Sequence, residues 1–220
     1  MNKLDKELSR INRITSDYTE SSLMMANLGD AVTAFGSARS KPEDKAYKDA
    51  VQFGEIMGQN GISVITGGGP GVMQAANIGN SRNEDENVKP VGVGIELPFE
   101  EDMNEHLDIS LEHKYFFTRK VFLTKHSFAF VCFHGGLGSL DEICEVACLI
   151  STKKMKRDPI VLVDEEYWGG FVKWMKEVMP KEGTLTEKEI DEVFVFAKDG
   201  EEAAKIVLEY QKNIPKSKRQ

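Results

Sequence analysis

The sequence predicts a doubly wound α/β fold, a parallel sheet with helices on both faces. Three observations lead there: six short runs rich in Val, Ile and Phe, longer helix-like segments between them, and one run at 128–133 that is apolar at every position. Strands that alternate with helices at this spacing need crossover connections and so lie parallel. Cover from helices on both faces removes the polar half of each strand pattern.

Taken in order, residues 3–15 place Leu4, Leu8, Ile11 and Ile14 at helical spacing among charges. This is an amphipathic helix that lies on the domain or on a partner, followed by a polar stretch at 15–22. Strands are expected at 32–35, 62–66, 91–95, 128–133, 160–163 and 193–196. Helices are expected near 43–59, 71–79, 116–126, 140–152, 167–179 and 201–211. The acidic stretch 83–87, the basic run 153–157 and the basic tail 216–220 read as solvated surface.

Composition removes several classes of function. With 28 basic and 36 acidic residues the net charge is −8 at pH 7, which argues against a general nucleic-acid coat, because that needs clustered cations. A single small anion responds to a local field and stays open. No apolar run has the length of a membrane span, and the start lacks a secretory apolar stretch, so a cytoplasmic protein is expected. The three cysteines are too few and too bunched for a disulfide framework. Cys132, Cys144 and Cys148 lie near His134, but Cys144 and Cys148 stand four apart on a helix and read as packing thiols, not as zinc ligands. Cys148 is also placed to line a pocket beside Glu142.

The 19 glycines are more informative by position than by number. Gly67-Gly68-Gly69-Pro70-Gly71 and Gly135-Gly136-Leu137-Gly138 each follow an expected strand and open an expected helix. In a doubly wound sheet both loops therefore fall on the ligand-binding edge. Such a loop lets main-chain N–H groups approach a ligand, and the helix behind it offers unsatisfied donors to an anion such as phosphate. The first loop has neither the Walker A lysine nor dinucleotide spacing, and reads equally as a tight turn. The second adds Ser139, with Asp141 and Glu142 expected in the first helical turn, where carboxylates also serve as dipole complements. Upstream, Arg119 follows Phe116 and Phe117, either as a snorkelling side chain or as a clamp on phosphate or ribose.

Four ordered segments together, Phe-Gly-Ser-Ala-Arg (35–39), Thr-Gly-Gly-Gly-Pro-Gly-Val-Met (66–73), Phe-Phe-Thr-Arg-Lys (116–120) and Gly-Gly-Leu-Gly-Ser-Leu-Asp-Glu (135–142), resemble the LONELY GUY family. These are nucleoside 5′-monophosphate phosphoribohydrolases long labelled lysine decarboxylases, and the likeness runs from about residue 32 to 174. The resemblance implies a single Rossmann-like nucleotide-binding catalytic domain over 29–212, with an N-terminal helical extension at 1–28 and a basic tail at 213–220. It places the catalytic roles on Arg119 and Glu142. Candidate substrate contacts are Gly36, Ser37, Gly67, Gly68, Gly69, Gly71, Met73, Lys120, Gly135, Gly136, Leu137, Gly138, Ser139 and Asp141.

Two positions depart from the family signature Pro-Gly-Gly-x-Gly-Thr-x-x-Glu: His134 stands for proline and Ser139 for threonine. Ser139 keeps the hydroxyl, whereas His134 exchanges a stiff corner for a titratable ring that either packs or meets ligand. The implied reaction is hydrolysis of AMP or an N6-modified AMP to free base and ribose 5-phosphate. Glu142 would stabilise the cationic ribose or orient water, and Arg119 would position the nucleotide. No metal or redox cofactor enters this chemistry, no nucleic-acid or membrane partner is implied, and at least a homodimer is. The helix near 140–152, with Ile143, Val146, Ala147, Leu149 and Ile150, suits burial against a second chain as well as its own sheet. The alternative is a non-catalytic nucleotide or molybdenum-cofactor (pterin) carrier of the same fold.

Overall fold

A computed structural model describes residues 2–97, 102–156 and 158–214. Seven strands, β1 (Ala31–Phe35), β2 (Ser63–Thr66), β3 (Val91–Ile95), β4 (Ile109–His113), β5 (Ser127–Cys132), β6 (Ile160–Val163) and β7 (Phe194–Ala197), form one sheet in the order β4-β3-β2-β1-β5-β6-β7. Every adjacent pair is parallel. The chain winds outward from β1 to β4, then returns to lay β5 on the free side of β1. That reversal creates the switch point, a crevice at the carboxyl ends of β1 and β5.

Helices α1 (Lys3–Met24), α2 (Lys45–Gln59), α3 (Val72–Asn80), α4 (Phe116–Thr124), α5 (Leu137–Ser151), α6 (Glu165–Val178), α7 (Glu187–Val193) and α8 (Gly200–Asn213) cover the sheet. Alternation along β1 divides the core. Ala31 and Phe35 join Phe122, Ile143 and Trp168 on the side of α4, α5 and α6, whereas Val32 and Ala34 join Phe53, Val72 and Ala203 on the side of α2, α3 and α8. This period of two is what a strand buried on both faces produces.

Several elements differ from the sequence expectation. The first helix does not stop at 15: the polar stretch continues it to Met24, because it holds no Gly or Pro, and the Thr15 hydroxyl donates back to the Ile11 carbonyl. Its buried side chains are polar, although Tyr18 packs edge-on against Phe122. The buried Asp17 accepts from Arg13 Nε at 2.6 Å and from the Lys114 N–H at 3.1 Å, and Ser21 meets His113 Nε2 at 3.1 Å, while Leu4, Leu8 and Ile11 are exposed. Edge strand β4 and short α7 lie outside the expected elements. The basic run ends at Arg157, and the basic tail begins at Lys216; both residues lie outside those described. Among the described residues no helix is long and apolar enough to cross a membrane.

Candidate functional site

Three loops meet at the switch point. The Phe133 N–H donates to the Phe35 carbonyl at 3.0 Å, the Ser37 N–H to the His134 carbonyl at 2.9 Å, and the Val72 N–H to the Ser37 carbonyl at 3.0 Å. Gly36 and Ser37 thus sit between the two glycine clusters and tie them into one crevice. A cavity of about 300 Å³ opens beside the first cluster, lined by Pro70, Gln74, Asp102, Met103, Asn104 and Glu105.

The two clusters treat their donors differently. In the first, the Gly68 N–H donates to Thr66 Oγ1 at 3.0 Å, and the Gly68 carbonyl accepts both the N–H and Nδ2 of Asn104 at 2.8 and 3.0 Å. Thr66 donates in turn to Asn77 Oδ1 at 2.7 Å, and the leading N–H of α3 is taken by Ser37. In the second, α5 begins at Leu137, three residues before the expected start, so Leu137, Gly138 and Ser139 supply its first turn. Gly136 caps that turn with no side-chain bond. The leading N–H of this 15-residue helix, at the carboxyl end of β5, has no acceptor among the described residues, an arrangement that suits an anion. Ser139 is 7% exposed and folds back over Gly135, where any β-carbon would collide with its Oγ.

The earlier start of α5 also moves Asp141 and Glu142 beyond the first turn, where the helix dipole no longer accounts for them. Glu142 is 5% exposed. Arg119 Nη1 and Lys120 Nζ each lie 3.9 Å from its carboxylate, too far for hydrogen bonds, and Oε2 has no hydrogen-bond partner among the described residues. Burial pushes its pKa up to about 7, opposed by Lys120 and Arg119 and reinforced by Asp141 and Glu145.

Arg119 is held by the bond from its Nε to the Val93 carbonyl at 2.7 Å, which aims the guanidinium across Gly67. A β-carbon at Gly67 would strike Nη2 of Arg119 and the sulfur of Met73, so a side chain there would push both of these long side chains aside. Desolvation lowers the Arg119 pKa from its ordinary value, opposed by Glu142 and Asp141, and the group stays cationic. Lys120 is bridged to Asp141 and Glu145, each at 2.7 Å. Desolvation works against its charge, but these bonds outweigh it and raise the pKa. The exposed Asp141 therefore faces Lys120.

Of the sequence-derived candidates, Gly36, Ser37, Gly67, Met73, Arg119, Gly135 and Ser139 come together around the crevice, with Glu142 and Lys120 joined through Arg119. Gly68 and Gly71 have backbone groups already engaged by the protein. Sequence reasoning missed Asn104, which clips the first loop, and Asp164 and Tyr167, which hold the second. Asn104 lies 36 residues from Gly68, and no local pattern points to it. Cys148 does not line the crevice: with Cys144, Met175, Ile190 and Phe194 it lines a separate cavity of about 570 Å³ between α5, α6 and α7. Cys132 is buried, and desolvation pushes its thiol pKa far up.

The parallel sheet with helices on both faces defines a doubly wound, Rossmann-like α/β protein, with an uncapped helix N-terminus and a buried acid at its switch point. The family model described as possible lysine decarboxylase matches residues 72–207, more than half of the chain, and the protein belongs to that family. The molybdenum cofactor binding protein of Rippkaea orientalis has a similar structure, with a TM-score of 0.59 at 20% identity over 83% of this chain and 98% of that one. The molybdenum cofactor carrier protein of Chlamydomonas reinhardtii gives 0.57 at 18% identity over 84% and 99%. At these identities the likeness is one of fold. No curated protein sequence matches the chain.

Proposed function

We propose that the protein hydrolyses the N-glycosidic bond of a nucleoside 5′-monophosphate, AMP or an N6-modified AMP, to free base and ribose 5-phosphate. The observation that carries this reading is Glu142: a buried carboxylate with an unpartnered oxygen, beside Arg119 and one turn from an open helix N-terminus. A purely structural acid would be hydrogen-bonded at this depth. The α5 N–H groups take the 5′-phosphate, and that remote binding energy orients the sugar. As the base departs, positive charge grows on the ribose ring. Glu142 stabilises it in its ionised form or receives a proton from the attacking water, and Arg119 holds the nucleotide. The protein acts in the cytoplasm as a homodimer at least, which light scattering checks.

With Glu142 near pH 7, the ionised fraction climbs across neutrality, so turnover rises between about pH 6 and 8. The decisive assay is base release from a panel of nucleoside monophosphates. Hydrolysis of at least one, with lysine inert, supports the reading. The rival is a carrier that holds a phosphate-bearing pterin uncleaved, as the names of the similar structures suggest for those proteins. A pterin carried through purification, with no base released from any nucleotide, would decide for it.

A further inference from the structure

The loop that opens α5 is fastened to the neighbouring β6–α6 corner by three side chains for which the proposed reaction has no use. The rings of His134 and Tyr167 stack with centroids 4.2 Å apart and planes 12° from parallel. His134 Nε2 lies 2.9 Å from Asp164 Oδ2, and the Tyr167 hydroxyl donates to the Gly135 carbonyl at 2.7 Å. Asp164 adopts a φ of +78°, a left-handed conformation that non-glycine residues seldom take. Three bonds hold it there: its N–H donates to the Ala197 carbonyl at 2.7 Å, Oδ1 accepts the Glu166 N–H at 3.1 Å, and Oδ2 meets His134.

These contacts determine which way two peptide units face. The His134 carbonyl is engaged by Ser37 and the Gly135 carbonyl by Tyr167. In a planar trans peptide the N–H points opposite its carbonyl. The N–H groups of Gly135 and Gly136 are therefore turned away from these partners, and neither carbonyl can swing round to meet an anion. Without such fastening, two adjacent glycines would sample many conformations, and ordering them would reduce affinity.

We propose that His134, Asp164 and Tyr167 form a clasp that pre-organises the 134–138 backbone for phosphate. They are positioning residues, and the inference rests on reading this loop as the 5′-phosphate site. A proline at 134 stiffens such a corner by fixing φ; here stacking and two hydrogen bonds do so from the side. The His134 N–H has no acceptor among the described residues, so a proline there forfeits no bond.

The test titrates wild type, Tyr167→Phe, His134→Ala and His134→Pro with inorganic phosphate by calorimetry, and measures KM and kcat with AMP and with adenosine. Tyr167→Phe and His134→Ala are expected to weaken phosphate binding roughly 5- to 20-fold. The KM for AMP should rise by the same factor, with kcat/KM for adenosine, which lacks the phosphate, unmoved. His134→Pro should recover most of the affinity that alanine loses. Unchanged phosphate affinity in both of the first two variants overturns the clasp. An equal loss with AMP and adenosine also overturns it, since that marks general structural damage. If wild type binds phosphate yet releases no base from AMP, the hydrolase reading fails while the phosphate titration still decides on the clasp. Wild type that binds no phosphate overturns both.

Discussion

The β2–α3 and β5–α5 loops share one device in the sequence, a glycine cluster between a buried strand and a helix, yet they differ in where their polar groups go. Around Gly68 the backbone is tied down by Thr66 and Asn104, and the leading N–H of α3 is taken by Ser37, although α3, like α5, has no side-chain cap. In the second loop the His134 and Gly135 carbonyls are taken by Ser37 and Tyr167, but the leading N–H of α5, at Leu137, has no acceptor among the described residues. The first loop is a floor across which Arg119 lies, and the second, on the reading proposed above, opens toward the phosphate. A glycine cluster thus shows that backbone comes close to something, and only the hydrogen-bond census shows whether that something is protein or ligand.

The sharpest way to break this contrast is at the acid behind the open loop. Glu142→Gln is expected to lower turnover by about 10²- to 10³-fold with phosphate affinity kept. The same variant reports on stability. Because burial raises the folded-state pKa of Glu142 to about 7, above its unfolded value, the native state binds the extra proton. The stability this proton confers is complete below the unfolded pKa and is lost as pH rises toward 7. The glutamine variant lacks this loss, so its stability relative to wild type should increase by about 2 kcal/mol between pH 5 and 8. A pH-independent difference in denaturant midpoints would show that Glu142 does not titrate as a buried acid. Next in size is the floor: Gly67→Ala should displace Arg119 and reduce turnover roughly 10- to 100-fold while phosphate binds as before. A loss of phosphate affinity in that variant would mean that the first loop also grips the anion.

Much of this was legible beforehand, for identifiable reasons. Phe128, Phe130 and Val131 announce a strand covered on both faces, and two glycine clusters after strands mark the carboxyl edge of the sheet. Glu142 and Arg119 could be singled out because they fall in segments that resemble a known family's, Gly-Gly-Leu-Gly-Ser-Leu-Asp-Glu and Phe-Phe-Thr-Arg-Lys. Strand β4 was not legible: in Ile-Ser-Leu-Glu-His only Leu111 and His113 are buried, too weak an alternation at a sheet edge. Helix α7 is seven residues long, although its Thr186–Glu189 capping box was a usable local signal. The clasp was illegible because it joins His134 to Asp164 and Tyr167 across 30 and more residues, through a strand pairing that sequence cannot register. The start of α5 was misplaced because glycine normally argues against helix, whereas here Gly138 lies in a first turn held by the sheet.

The smallest effects separate the loops most cleanly, through the hydroxyl that each carries. Thr66 Oγ1 is fully buried, donates to Asn77 and accepts from Gly68. Thr66→Val preserves shape but orphans the Gly68 N–H and leaves Asn77 Oδ1 with Asn104 Nδ2 as its donor, which costs about 1–3 kcal/mol of stability. Because those bonds point into the protein, phosphate affinity should not change. Ser139 Oγ, by contrast, has no protein partner among the described residues and stands at the third position of α5. Ser139→Ala removes no internal bond and replaces serine by a better helix former, so thermal unfolding should shift by no more than a degree or two. Its effect should appear in ligand binding, as a loss of about 3- to 10-fold in phosphate affinity, the worth of one hydrogen bond. The two variants therefore form a crossed pair, one read by denaturation and the other by calorimetry. A Ser139→Ala protein that loses stability but binds phosphate normally would place its hydroxyl in the fold, and the two loops would then be alike after all.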